Sequence, residues 1–135
     1  MLKKKLKDGT VVGLSCEMVS GGVLLTLDRQ DADAEGKTSL QSFLMNPAQV
    51  SEFIDGLEKG FVAIRNAKGD KLIYRKPPTY LAEPIHIAII PDSTEEDDMM
   101  FPLHAHEAYF IQKALENMSD SLLFVGTWSG EAELW

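Results

Sequence analysis

The strongest local constraint on the fold is the segment Asn46-Pro47-Ala48-Gln49, which has the pattern of a helix start. Asn46 can accept a hydrogen bond at the N-cap, proline tolerates the first helical position, and Gln49 stands where its side chain can reach back to the cap. A later glycine, Gly60, suits a helix end. Between them an apolar stripe repeats at helical spacing: Val50, Phe53, Ile54 and Leu57. The pattern predicts a helix over residues 47–59 with one face in a core.

Short apolar and β-branched runs on both sides of this helix predict strands. They cover residues 5–14, 23–27, 38–44, 61–65, 71–75 and 85–90. Glycine-containing connectors predict that the first two runs form one hairpin and that residues 61–75 form another. The run from Ile85 to Ile90 is apolar on both alternating faces apart from His86, which is typical of a central strand covered on both sides.

The C-terminal part of the chain predicts a second helix and one more strand. From about Leu103 to Met118 the apolar residues share one helical face, and residues 122–125 have an extended pattern. Residues 1–135 therefore predict a single α+β domain. We expect a mostly antiparallel sheet of about six or seven strands with two helices packed on one face.

Composition and charge narrow the classes of function. The chain has 135 residues, a net charge of −8 and no run of about 18 apolar residues, so we expect a soluble protein without a membrane span. The acidic balance disfavours general binding to nucleic acid. The single cysteine, Cys16, fits a reducing compartment, which predicts a cytoplasmic location. No residue pattern indicates a bound cofactor, and the common nucleotide, hydrolase and zinc motifs are absent, which favours a protein that is not an enzyme.

One cluster could support a small metal-dependent enzyme or ligand binder. Its residues are His86, His104, His106 and Glu107, and imidazole with carboxylate suits zinc or a related ion. On a helix, however, two ligands need a spacing of three or four residues, whereas His104 and His106 are two apart. We therefore expect no bound metal and read these histidines as structural or surface residues.

A second alternative is a nucleic-acid binder that uses the predicted hairpin at residues 65–76. Five cations lie in this hairpin, with Tyr74 as the one aromatic that could stack on a base: Arg65, Lys68, Lys71, Arg75 and Lys76. The net charge opposes this alternative.

The favoured hypothesis is a small acidic module, such as an adaptor, a chaperone-like binder or an inhibitor, that binds a protein partner with a basic surface. Five acids in residues 92–98 run directly into three adaptable apolar side chains. Acids speed association, and buried apolar groups supply affinity. The predicted partner-binding residues are Asp97, Asp98, Met99, Met100 and Phe101. The alternative is that residues 99–101 begin the second helix and are buried.

Self-association is also expected. A small domain with exposed strand edges often hides them by pairing with itself, and a terminal aromatic is costly to leave in water. We therefore predict a homodimer held by an edge strand or by the tail around Trp128 and Trp135.

Overall fold

The computed structural model describes residues 2–32 and 38–131, with side chains up to residue 121. The order of elements is four strands, a helix, four strands and a second helix. The bounds are β1 (Leu2–Lys5), β2 (Val11–Val19), β3 (Gly22–Gln30), β4 (Thr38–Met45), α1 (Pro47–Lys59), β5 (Phe61–Arg65), β6 (Lys71–Arg75), β7 (Ile85–Ile90), β8 (Met99–Leu103) and α2 (Ala105–Glu131).

The α+β class is confirmed, but the strand count and the arrangement differ from the prediction. There are eight strands, and they form two four-stranded antiparallel sheets, with the orders β1-β2-β3-β4 (sheet 1) and β5-β6-β7-β8 (sheet 2). Two strands were missed. The turn around Gly9 divides the first predicted run into β1 and β2, and β8 carries Pro102, which a strand accommodates at the edge of a sheet.

Helix α1 begins as its sequence predicts. The backbone N–H of Gln49 donates to Oδ1 of Asn46 at 2.8 Å, and the backbone N–H of Asn46 donates to Oε1 of Gln49 at 3.1 Å. Gly60 ends the helix with φ of 98°, a left-handed conformation that glycine adopts without steric cost. These contacts span four residues or fewer, which is why the sequence pattern identifies them.

One apolar core joins the inner faces of both sheets to the two helices. Phe53 of α1 is fully buried and meets the ring of Tyr74 on β6 edge to face, with ring centroids 6.5 Å apart. Gly56 lets α1 approach β5 closely, because a Cβ atom at this position would lie 2.1 Å from the Cβ of Val62. Helix α1 also packs against α2, so both helices belong to the same core.

Helix α2 differs from the prediction at both ends. It begins at Ala105 rather than near Leu103, and the predicted strand at residues 122–125 is wrong because the backbone there continues the helix. No glycine or proline interrupts residues 105–125, so nothing in the local sequence ends the helix in that stretch. Across the part of the chain that the structure describes, neither helix is long and apolar enough to cross a membrane.

Candidate interaction surface

The five predicted partner-binding residues lie in two different environments. Asp97 and Asp98 are exposed in the loop before β8. On β8, Met99 and Phe101 are 3% and 0% exposed, whereas Met100 is 54% exposed. Successive side chains of a strand point to opposite faces of the sheet, so β8 places Met99 and Phe101 in the core and Met100 on the outside. Residues 99–101 also do not begin a helix.

Met100 belongs to a surface that we call the outer face of sheet 2. Cross-strand partners share a side of the sheet, so the register identifies its members. They are Phe61, Ala63 and Arg65 on β5; Lys71, Ile73 and Arg75 on β6; His86, Ala88 and Ile90 on β7; and Met100 and Pro102 on β8. The side chains between them in sequence, such as Leu72, Tyr74 and Ile87, point into the core.

The middle of this face is apolar. Ala63, Ile73, Ala88 and Met100 are successive cross-strand partners and form one row across all four strands. Phe61 lies beside this row and is 59% exposed. Ala63 ends the row on the edge strand β5, and Ala88 lies between Ile73 and Met100 with a small side chain that is only 8% exposed. Phe61 and Met100, the two large exposed apolar side chains of this face, lie on the opposite edge strands β5 and β8, and the smaller or partly buried side chains of the row connect them. Contiguous apolar surface marks binding sites more often than isolated apolar side chains do.

The charges on this face are all of one sign. Arg65 and Lys71 are directly opposite each other on β5 and β6, and Arg75 is opposite His86. None of the strand residues on this face is an aspartate or glutamate. From the adjoining loop, Glu83 approaches Arg75 with 3.6 Å between Oε2 and Nη1. A pair of like charges facing each other across two strands destabilises a sheet, so Arg65 and Lys71 contribute nothing favourable to each other.

The acidic loop before β8 is tied to sheet 1 through Arg29. Nη2 of Arg29 lies 3.9 Å from Oδ2 of Asp97, and Nε lies 3.3 Å from Oδ1 of Asp31. Nε is buried and makes no hydrogen bond among the described residues, because the Asp31 carboxylate is close but poorly aligned. The loop and Arg29 line an open pocket. The other acids of the loop are exposed to solvent.

The histidine cluster forms the start of α2. The backbone carbonyl of His104 accepts hydrogen bonds from the backbone N–H groups of Glu107 and Ala108, and its own N–H donates to Oε1 of Glu107 at 2.8 Å. The same carboxylate forms a salt bridge with Lys4 of β1. Burial disfavours the charged form, but the hydrogen bonds from Lys4 and from the His104 backbone outweigh it and lower the pKa of Glu107.

The four candidate metal ligands take part in different contacts. The rings of His104 and His106 stack with centroids 5.6 Å apart, and Nδ1 of His86 lies 3.2 Å from the carbonyl oxygen of Pro84. Among the residues that the structure describes, no three histidine, cysteine, aspartate or glutamate side chains are placed to hold a metal ion.

Cys16 lies in an apolar groove between β2 and α2. The groove has a volume of about 210 Å³ and is lined by Leu2, Leu14, Ser15, Cys16, Phe110, Ile111, Ala114 and Met118. Burial raises the pKa of the Cys16 thiol to about 12, so the reactive thiolate is scarce near neutral pH. Cys16 therefore has the environment of a structural cysteine.

The basic hairpin is divided between the two faces of sheet 2. Tyr74, the aromatic that was expected to stack on a base, is 1% exposed on the inner face. Arg65, Lys71 and Arg75 lie on the outer face, where the exposed aromatic is Phe61. Phe61, which is exposed, and Ile73, which is partly exposed, were not predicted as surface residues. The alternation in Lys71-Leu72-Ile73-Tyr74-Arg75 is a signal that could have indicated them, because Ile73 shares its side with the two cations.

Comparison with known proteins adds no assignment. No protein-family model matches the chain, and no curated protein matches it. Its function has to be inferred from its own residues and their geometry.

Proposed function

We propose that this chain is a non-catalytic protein-interaction module that binds its partner with the outer face of sheet 2. The observation that carries the proposal is the apolar row of Ala63, Ile73, Ala88 and Met100, in which Met100 is more than half exposed, together with the equally exposed Phe61 beside its other end. Burying such side chains against a partner stabilises the complex, because it removes apolar area from water at about 25 cal/mol per Å².

Two further features support a binding role for this face. The strands are held in place by a core that includes Phe101 and Tyr74, so the outward side chains stand on a rigid sheet rather than on a loop. A rigid surface loses little conformational entropy when it binds. The facing cations Arg65 and Lys71 destabilise the isolated sheet, and a partner that supplies opposite charge removes that penalty.

A second candidate function is the predicted binding of a basic protein partner through the acidic loop before β8. Asp97 and Asp98 are exposed, and the exposed Met100 follows them by two residues. A basic partner could be steered by the loop and bury Met100. Met99 and Phe101 cannot take part in either case, because both are in the core. The outer face is the stronger candidate, since it provides a continuous apolar row while the loop adjoins a single exposed apolar side chain.

The test compares three double variants in quantitative capture from cells, followed by reconstitution with the purified partner. Phe61→Ser with Met100→Ser disrupts the outer face of sheet 2. Leu40→Ser with Leu44→Ser is the matched control, because these leucines are 61% and 47% exposed on β4 of sheet 1. All variants are first checked for unchanged thermal unfolding.

We expect one partner to be retained by the wild type and by the sheet 1 control and lost from the Phe61 and Met100 variant. A third variant, Asp97→Asn with Asp98→Asn, separates the two candidates, because loss of the partner in this variant supports recognition through the acidic loop. Equal recovery of every captured protein by all variants would contradict both candidate functions.

Self-association and a cytoplasmic location remain part of the proposal. Each sheet ends in edge strands, which present backbone groups that can pair with a second copy. The side chains of Trp128 and Trp135 lie outside the described residues. Light scattering that reports a monomer at high micromolar concentration would exclude the dimer.

A further inference from the structure

We infer that the outer face of sheet 2 recognises an acidic segment that also carries apolar side chains. This inference rests on the proposed function, because it names the chemistry of the partner for the same surface. The juxtaposition that carries it is the unpaired couple of Arg65 and Lys71 next to the row through Ile73 and Met100.

The charge requirement follows from what surrounds the two cations. Neither Arg65 nor Lys71 forms an ion pair with any described residue, although the chain as a whole carries a net charge of −8. The acids that adjoin these strand ends in sequence are Asp70, directly before Lys71, and Asp92, two residues after the end of β7. The carboxylate of Asp70 already accepts hydrogen bonds from Asn66 and from the backbone N–H of Asp92.

A carboxylate from a partner would complete this arrangement. Placed between Arg65 and Lys71, it would replace a repulsive pair with two charge-assisted hydrogen bonds, which are roughly twice as strong as neutral ones. A basic or neutral segment would leave the repulsion in place. Electrostatic complementarity therefore selects an acidic occupant and also speeds its association.

The spacing between the cations and the apolar row sets the form of the segment. Strands of a sheet lie about 4.8 Å apart, so the row across four strands is about 14 Å long. Arg65 and Lys71 are two residues along their strands from Ala63 and Ile73, which is about 7 Å to the side of the row. A short amphipathic segment matches these distances, with its apolar side chains along the row and its acids on one flank.

Nucleic acid fits this surface less well. Single-stranded nucleic acid needs aromatic rings on which successive bases stack, and Phe61 is the one aromatic among the strand residues of this face. The row itself is aliphatic, and the net charge of −8 repels a polyanion at long range. A short peptide segment needs no base stacking, buries its apolar side chains against the row, and with only a few acids is repelled less at long range than a polyanion.

The experiment is selection of a displayed random-peptide library on the purified protein, with the composition of the enriched peptides as the readout. Selection is repeated on Arg65→Gln with Lys71→Gln, and on Lys3→Gln with Lys5→Gln as the matched control. Lys3 and Lys5 are exposed on the outer side of sheet 1, so the control removes the same charge from the other sheet. Selected peptides and an oligothymidylate are then titrated by fluorescence anisotropy at low and high salt.

We expect the enriched peptides to combine aspartate or glutamate with leucine, isoleucine or phenylalanine. Their affinity should fall by about tenfold or more in the Arg65 and Lys71 variant, on the scale of an interface hot spot, and should be unchanged in the control. High salt should weaken the wild-type complex and have less effect on the variant.

The outcomes separate this inference from the function on which it rests. Peptides that lose binding in the Phe61 and Met100 variant but carry no acids would overturn the inference and leave the interaction module standing. Absence of any peptide that depends on this face would overturn both. Tight binding of the oligothymidylate that requires Arg65 and Lys71 would assign the face to nucleic acid instead, and enrichment of peptides that resemble the protein's own edge strands would assign it to a second copy.

Discussion

Substituting Gly56 by alanine should destabilise the protein, although the same change stabilises most helices. In an exposed helix interior, glycine to alanine gains about 1 kcal/mol of helix propensity. Gly56 is buried on the face of α1 that meets β5, and an added Cβ would lie 2.1 Å from the Cβ of Val62 and 3.0 Å from the carbonyl oxygen of Phe61. Both are atoms close to the backbone, so neither can rotate away.

The expected loss of stability follows from the distance by which α1 and β5 must move apart. Carbon atoms pack at about 3.5 to 4.0 Å, so α1 and β5 have to separate by roughly 1.5 Å at this point. Overpacking of this kind costs typically about 1 to 3 kcal/mol. The Cβ of Val62 cannot yield, which places the cost near the upper end, and after the propensity gain we expect a net loss of about 2 kcal/mol in the free energy of unfolding.

Urea unfolding monitored by circular dichroism measures this loss. Ser51→Ala is the control, because Ser51 is exposed on the same helix, and its effect should stay within about 0.5 kcal/mol. Since β5 carries Phe61, the Gly56 variant should also bind with lower affinity to any peptide that recognises the outer face of sheet 2. A Gly56→Ala protein as stable as the wild type, or more stable, would refute the close approach of α1 and β5.

Three further expectations concern the core, the thiol and the start of α2. Phe53→Ala should lower the free energy of unfolding by about 3 to 5 kcal/mol, because Phe53 is fully buried against Tyr74; a loss below about 1 kcal/mol in urea unfolding would show that α1 is peripheral. Cys16 should react with iodoacetamide far more slowly than free cysteine at pH 8, since its pKa is raised to about 12, and mass spectrometry of timed samples would expose a fast reaction. Glu107→Gln should destabilise the protein at neutral pH. Because the folded pKa of Glu107 is lowered, its contribution is present above the unfolded value of about 4.3 and is lost as the pH falls through the folded value, so the wild type and the variant should converge in acid. A difference in stability that persists unchanged at low pH would contradict the salt bridge with Lys4 as its cause.

The corrections to the site have one physical origin. Met99, Met100 and Phe101 are adjacent in sequence and were predicted to act as one apolar group, but a strand sends alternate side chains to opposite faces. The number of strands and the side that faces the core depend on how β8 pairs with β7 across the acidic loop and on which face of the sheet is buried, so the residues of β8 alone do not determine them. The same applies to Glu107, whose sequence position suggested a metal ligand and whose partner Lys4 lies at the other end of the chain.

By itself, the sequence determined the features whose contacts lie within a few residues. The capping box of Asn46 and Gln49, the apolar face of α1 and the left-handed Gly60 all follow from neighbouring residues, because a helix closes its hydrogen bonds over four positions. Tertiary structure alone decided that eight strands divide into two sheets and that the row from Ala63 to Met100 crosses four strands on one surface. Those outcomes depend on long-range strand register, and register is set by which faces become buried when distant segments meet.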